Sequence, residues 1–333
     1  MVMAEHPAKR VLIFRALPGL GDLLCAVPAL RALRAGLPEA ELTLLGLPQA
    51  AGFAQRFPEL IDRLEVFPGF PGLPEQPVRN RELLAFLSGA QGKYELALQL
   101  HGSGPVSNAL VALLGARQTA GRFLPGQWCP DPARFLPYQE GEPEPLVWLR
   151  LVEFLGYPSQ GTALAFPIHE EDRAALRALP DAHALTPGSY AVVHPGASRP
   201  ERRWPPRHFA QVADRLAERG LRVVLTGTPG EAELTRAVRE ALALPGALDL
   251  TGQTDLGTLA ALLAGARVLV SGDTGVSHLA AATRTPSVVL FLASDPARWA
   301  PLDRERHRAV RGDLGRVLTE VDDLLQQEPD YAF

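Results

Sequence analysis

Four short polar segments interrupt apolar runs of this chain, and each holds residue types that can bind or transfer something. The first is LPGLGDLL, residues 17–24, where Gly19 and Gly21 permit a tight turn and Asp22 opens a helix. An aspartate there can cap free backbone N–H groups, worth about 1 kcal/mol, and the residues alone leave open whether it does more. The second, HPGASRPERRW, carries His194, Gly196, Ala197 and Ser198 behind an apolar run, and Arg202 and Arg203 ahead of a helix. Two guanidinium groups beside a helix N-terminus attract an anion through charge and dipole together. A solvated arginine pair next to a core Trp204 is the plainer alternative.

The third segment, LTGTPGEAEL, places Glu231 and Glu233 in the first turn of a helix. The helix dipole alone accounts for acidic residues there, and a carboxylate at such a position can also hold ribose hydroxyls. The fourth, SGDTGVSH, sets Gly272, Asp273, Thr274 and Gly275 between a strand and a helix, with His278 one turn later on the face of Thr274. Amides, a hydroxyl and an imidazole directed to one place make a cradle suited to a diphosphate.

Other chemistries fail for want of spacing. His194, Asp273 and His278 could ligate a metal, but there is no HExxH and further candidates are scattered, so no metal is expected. Ser198 stands in GAS rather than in a GxSxG elbow. GxxxxGK[ST] is absent, and GxGD lacks the third glycine of the dinucleotide fingerprint. An NAD-linked enzyme with a Tyr-x-x-x-Lys pair is ruled out by Lys9 and Lys93, the only lysines. No cofactor is expected.

These segments need strands to end where they begin. Apolar runs at 10–16, 41–46, 62–67 and 94–100 alternate with helical patterns at 22–36, 48–56, 80–89 and 105–114, which predicts βαβ units on a parallel sheet. Prolines thicken between 125 and 187, and the alternation restarts at YAVVH, 190–194. The helix over 205–219 is the clearest, with proline in its first turn, Phe209, Val212, Ala213 and Leu216 on one face and Gly220 past its end. Two doubly wound domains in tandem leave a cleft between facing strand ends, and ligands of such sheets bind at the carboxyl ends of strands. The expected domains are 9–165 and 186–315, with a C-terminal helix over 316–333 packing back on the first.

Length and composition agree. With 333 residues the chain exceeds one ordinary core, and 47% hydrophobic with 21% charged residues describes a globular protein. A net charge of −4 without basic runs argues against nucleic acid as a partner. Two cysteines without CxxC spacing, no apolar leader and no transmembrane run predict a cytoplasmic protein.

The chain resembles glycosyltransferase family 9, the ADP-heptose:lipopolysaccharide heptosyltransferases, through VLIFRALPGLGDLLCAVPAL, YELALQLHG with AGRF, HPGASRPERRWPPRHF, VVLTG and GDTGVSHLAAATRTPSVVLF. The resemblance implies the α/β GT-B architecture, two Rossmann-like doubly wound domains facing across a cleft. It implies inverting, metal-independent transfer of a sugar, heptose from ADP-heptose, onto a cell-envelope glycolipid or related glycan. By the same resemblance Asp22 is the general base on the acceptor hydroxyl. Ser198, Arg202, Arg203, Asp273, Thr274, Gly275 and His278 then hold the donor diphosphate, and Glu231 holds the ribose. Acceptor-side residues are Gly19, Gly21, His101, Gly102 and Ser103. Family members commonly have lysine where Arg202 stands, so an ammonium is replaced by a guanidinium fork. A nucleotide-sugar binder without catalysis, or a family member with another donor and acceptor, are the alternatives. Membrane contact, at the inner face of the cytoplasmic membrane, would be peripheral.

Overall fold

The computed structural model describes residues 8–328. The chain divides into two compact units, residues 1–162 and 163–333. In the first run β1 (Arg10–Phe14), α1 (Leu20–Leu24), α2 (Val27–Gly36), β2 (Glu41–Gly46), α3 (Ala51–Arg56) and β3 (Arg63–Val66). They are followed by α4 (Asn80–Ala90), β4 (Leu96–Gln99), α5 (Ser107–Leu113), β5 (Gln118–Phe123), β6 (Phe135–Pro137) and α6 (Glu144–Phe154). The six strands pair in parallel in the order β3-β2-β1-β4-β5-β6.

The second unit runs α7 (Glu170–Ala178), β7 (Tyr190–His194), α8 (Pro206–Glu218), β8 (Arg222–Leu225), α9 (Ala232–Glu240), β9 (Leu248–Asp249) and α10 (Leu256–Gly265). Then come β10 (Val268–Gly272), α11 (Gly275–Ala282), β11 (Ser287–Leu290), α12 (Pro296–Trp299), β12 (His307–Val310) and α13 (Leu314–Gln326). Its sheet, β12-β11-β10-β7-β8-β9, is also parallel throughout. Each sheet therefore has the doubly wound order, its direction of winding reversing between β1 and β4 and between β7 and β10. The α/β class with two Rossmann-like doubly wound domains is the one read from the sequence.

Helices cover both faces, so the central strands are continuous apolar runs rather than alternating ones: VLIF of β1 and AVV of β7 are buried throughout. Phe209, Val212, Ala213 and Leu216 of α8 pack with β7, β8 and β10 in one core, as the helical pattern predicts. Phe14, Leu45, Phe67, Tyr94, Ala97 and Leu110 anchor a core of the first unit.

Three expectations change. The helix expected over 22–36 is two, because Pro28 has no N–H to continue the ladder and a new first turn forms around it. The proline-thick stretch, in which the sequence indicates helices around LVWLRLVEFLG and EEDRAALRALP, also holds β6, and β5 lies just ahead of it; α7 packs on α10, so residues from 163 onward belong to the second unit. The C-terminal helix begins at Leu314 and puts Val317, Val321 and Leu324 into the second unit's core, where Asp322 also binds Arg215 and Arg219 of α8 or its end. An apolar face at 3.6-residue spacing binds the nearest uncovered sheet face; residues 329–333 of the expected helix lie outside the described residues.

Candidate functional site

Residues singled out from the sequence gather at the two points where the strand order reverses. In the first unit β1 runs into Arg15 and Ala16, then into the Gly19 cap of α1, whose third residue is Asp22. Asp22 is half-buried, and its carboxylate lies over Gly19: a Cβ built there would stand 2.4 Å from Oδ2. Glycine is needed at 19 for that close approach and not for its φ of −81°, which any residue adopts.

Behind Asp22 lies a buried cation that the sequence reading missed. Arg15, 1% exposed, donates Nε to the Asp22 carbonyl at 2.7 Å, Nη1 to the Leu100 carbonyl at 2.7 Å and Nη2 to Glu144 at 3.2 Å. Its guanidinium sits 5.0 Å from the Trp148 ring centroid, and Trp148 Nε1 donates to the same Glu144 oxygen at 3.0 Å. The signal was present: an arginine directly continuing VLIF, where a solvated charge has no place.

Across the switch point, β4 leads into His101, Gly102 and Ser103. His101 is buried and stacks on Phe14 at 4.6 Å. Its Nδ1 accepts the Ala16 N–H at 3.2 Å, which fixes the proton of the neutral ring on Nε2, facing Glu75 at 3.3 Å. Burial, aided by the Arg15 charge, pushes its pKa down to about 4. Gln99 Nε2 donates to the His101 carbonyl at 2.6 Å and, at 3.3 Å, to that of Gly102, holding the turn, while Gly102 and Ser103 remain half-buried. Glu75, another residue the sequence reading missed, has its Oε2 buried without a hydrogen-bond partner.

In the second unit β7 runs into His194, which is buried with Nδ1 3.1 Å from Thr226 Oγ1. Burial lowers its pKa against the pull of the Glu231 carboxylate. Glu231 lies over Gly196, where a Cβ would stand 2.2 Å from Oε1 and 2.6 Å from Oε2. Oε2 also accepts the Thr228 N–H at 2.7 Å and its hydroxyl at 2.8 Å, a capping box at the entry to α9. Glu231 therefore caps a helix and also lies against the turn that follows the first strand of its sheet.

Arg202 ends a short 3-10 turn and pairs with Asp273 at 3.5 Å; its side chain is 27% exposed, that of Asp273 4%. Ser294, which had no signal in the sequence, donates to the same Asp273 oxygen. Arg203 is exposed and donates Nε to the Ala197 carbonyl at 3.0 Å, and Ser198 is exposed beside it. Thr274 caps α11 by accepting the Val276 N–H at 3.3 Å, with Gly275 half-buried at the first helical position. His278 is buried, edge-on to Trp299 with centroids 6.2 Å apart. Asp273, Arg202 and the α11 N-terminus thus lie together. His278 backs them from within the core, and Glu231 flanks the neighbouring strand end.

Among the described residues no group of three or more His, Cys, Asp or Glu side chains gathers as for a metal ion, and no helix is long and apolar enough to cross a membrane. One open pocket of about 380 Å³ lies elsewhere, lined by Pro296, Ala297, Arg304, His307, Arg308, Ala309 and Glu320.

Comparison with known proteins adds the following. The sequence profile of glycosyltransferase family 9 (heptosyltransferase) matches residues 147–317. Lipooligosaccharide heptosyltransferase 2 of Haemophilus ducreyi is 35% identical over 131 residues, 37% of this chain and 38% of that protein. The aligned stretch therefore spans little more than a third of that relative's length. Lipopolysaccharide heptosyltransferase 3 of Escherichia coli is 27% identical over 307 residues, 90% of this chain and 88% of that one. The structure of E. coli heptosyltransferase WaaC with ADP-2-deoxy-2-fluoro heptose superposes with a TM-score of 0.62 at 25% identity, covering 95% of this chain and 99% of WaaC.

Proposed function

Because the chain belongs to glycosyltransferase family 9, the heptosyltransferase family, we propose that it transfers heptose from ADP-heptose to a cell-envelope glycolipid on the cytoplasmic side, with inversion and without a metal. The observation that carries the reading is that the chain holds two differently built strand ends, one in each unit. One presents a half-buried carboxylate, Asp22; the other presents Arg202, Asp273 and the α11 N-terminus.

A hydroxyl attacking an anomeric carbon must lose its proton as the bond forms, and Asp22 is the base that accepts it. The ADP diphosphate gains negative charge as the carbon–oxygen bond breaks. Arg202 and the Gly275 amide at the α11 N-terminus meet that charge from positions already set. Arg203, exposed and held at Nε by the Ala197 carbonyl, turns its outer guanidinium nitrogens to the outer phosphate, and Thr274, its hydroxyl already a cap, contributes geometry. Glu231 takes the ribose hydroxyls through Oε1. The donor assignment draws support from relatives named for heptose transfer and from the ADP-sugar analogue bound by WaaC.

Isothermal titration with ADP, ADP-heptose and UDP-sugars tests the donor: ADP and ADP-heptose should bind, UDP-sugars should not. Turnover of ADP-heptose with lipopolysaccharide cores truncated before each successive heptose tests the acceptor. Binding without transfer to any core would leave a nucleotide-sugar binder. Selective binding of UDP-sugars would assign another donor.

A further inference from the structure

Asp22 sits on a helix of five residues. One turn of helix has no cooperative stability of its own, and Ala26, whose N–H would bond the Asp22 carbonyl in a continuing helix, bonds the Leu23 carbonyl instead. What holds the carbonyl of Asp22 is Arg15, at 2.7 Å.

The same guanidinium reaches over the end of β4 to the Leu100 carbonyl at 2.7 Å, while His101, on the far side of that carbonyl, reaches back to the Ala16 N–H at 3.2 Å. Each strand end therefore grips the other by a side chain. Each gripping group is oriented from behind by a carboxylate, Arg15 by Glu144 of α6 at 3.2 Å and His101 by Glu75 at 3.3 Å. Trp148 and Phe14 close the two flat groups on one face.

A buried ion pair of this kind is a poor source of stability, since apolar residues of similar volume do as well or better. The side chains of Arg15 and Glu144 are each 1% exposed. An apolar residue at 15 could fill the space but could not bond two carbonyls from different segments. We propose that Arg15 and His101 form a reciprocal clamp across the ends of β1 and β4 that positions Asp22, with Arg15 the positioning residue for the proton transfer. This rests on the reading of Asp22 as general base.

The clamp needs His101 neutral, since a protonated ring has no acceptor for Ala16. Burial and the Arg15 charge, which push its pKa to about 4, keep it so through the neutral range.

The test is a double-mutant cycle on ADP release from ADP-heptose with the truncated core that serves as acceptor, beside ADP titration. Arg15→Met should lower kcat about tenfold to a hundredfold, the scale of a misplaced catalytic group, and leave the Kd for ADP within twofold. Arg15→Lys should recover part of the loss. In an Asp22→Asn background Arg15→Met should cost nothing more, because a group that acts only through Asp22 has nothing left to position. Glu144→Leu, which keeps Arg15 and removes the oxygen that anchors it, should repeat the pattern if Arg15→Met does not fold. Equal losses in both backgrounds, or a kcat within threefold of the wild type, would overturn the clamp alone. An Asp22→Asn enzyme at the wild-type rate would overturn the general-base reading and the clamp with it.

Discussion

At the switch point of the first unit the charges lie behind the site: Arg15 and Glu144 are 1% exposed and bond main-chain carbonyls, an indole and each other. At the switch point of the second unit they lie within it. Arg202, 27% exposed, is 3.5 Å from Asp273, and Glu231 is half-buried and held by Thr228. The same strand order thus supports two designs. Buried charge that bonds the backbone fixes one carboxylate in place. Arg202, partly exposed and 3.5 Å from the buried Asp273, can turn its guanidinium to a ligand's phosphate while Ser294 still holds the aspartate.

The contrast breaks most plainly at Asp22. Asp22→Asn keeps the shape of the side chain and removes the base, so turnover should fall about a thousandfold, within the ~10²–10⁴ range of general-base catalysis. ADP affinity should stay within twofold of the wild type in the same preparation. Turnover that survives would reduce Asp22 to an acidic residue in the first turn of α1, favoured there by the helix dipole. Arg202→Ala is the converse. It removes a charged donor from the proposed diphosphate seat, worth ~1.5–3 kcal/mol, so the Kd for ADP should rise about tenfold to a hundredfold by titration calorimetry. An unchanged Kd would mean that the pair with Asp273 is a structural contact.

A smaller effect tests what the two ends share. Gly19 and Gly196 each follow the first strand of their sheet, and each has a carboxylate over its Cα, with oxygens 2.4 and 2.2 Å from a built Cβ. Neither residue is among those at positive φ, so alanine strains no backbone and must instead push the carboxylate aside. Gly19→Ala should lower kcat several-fold with ADP binding intact, and Gly196→Ala should weaken ADP several-fold through Glu231. Melting temperatures of both variants should stay near the wild type. If the two substitutions act alike on kcat and Kd, the division of labour between the units is wrong.

Much of this was legible in the sequence because the sequence is where strand ends are marked. Glycine, a capping residue and a polar break in an apolar run identify the turns after β1, β7, β8 and β10, and the doubly wound class follows from the alternation that leads into them. The supporting groups were not legible, for a physical reason. Glu144 meets Arg15 over 129 positions of chain and Ser294 meets Asp273 over 21. Such partners are selected by the packing of α6 on the sheet and by the loop after β11, and no local pattern encodes either. β5 and β6 were missed because Gly121 and Pro137 interrupt their apolar pattern, although edge and near-edge strands tolerate both residues. His278 was read as facing the ligand from its spacing to Thr274. Its ring is buried and edge-on to Trp299 of α12.

The smallest effect separates the units by acid. His101 in the first unit and His307 in the second are pushed by burial from the ordinary 6.5 down to about 4, and burial lowers His194 of the second unit as well. A group with a depressed folded pKa that is neutral when deprotonated binds its proton more readily in the unfolded chain, so stability is full above pH 6.5 and falls as pH drops from there toward 4. Carboxylates such as Glu95, Asp131 and Asp322, whose ordinary values are 4.5, 3.8 and 3.8 and whose folded values are lower still, keep their contribution down to those ordinary values and lose it as the pH falls from there through the folded ones. Between pH 7.5 and 5 these histidines therefore act ahead of those carboxylates, His101 and His307 each costing on the order of 2 kcal/mol at the lower pH and His194 adding in the same direction. With two such residues against one, the second unit should weaken more. Hydrogen exchange followed by mass spectrometry at pH 5 should show β7, β8, β10 and β11 losing protection relative to pH 7.5 by more than β1, β2 and β4. His307→Asn, which keeps a partner for Ser287 and cannot titrate, should remove most of that excess, since it leaves one such histidine in each unit. Equal loss in the two sheets, or greater loss in the first, would mean that the clamp around His101 opens to acid as readily as the donor half.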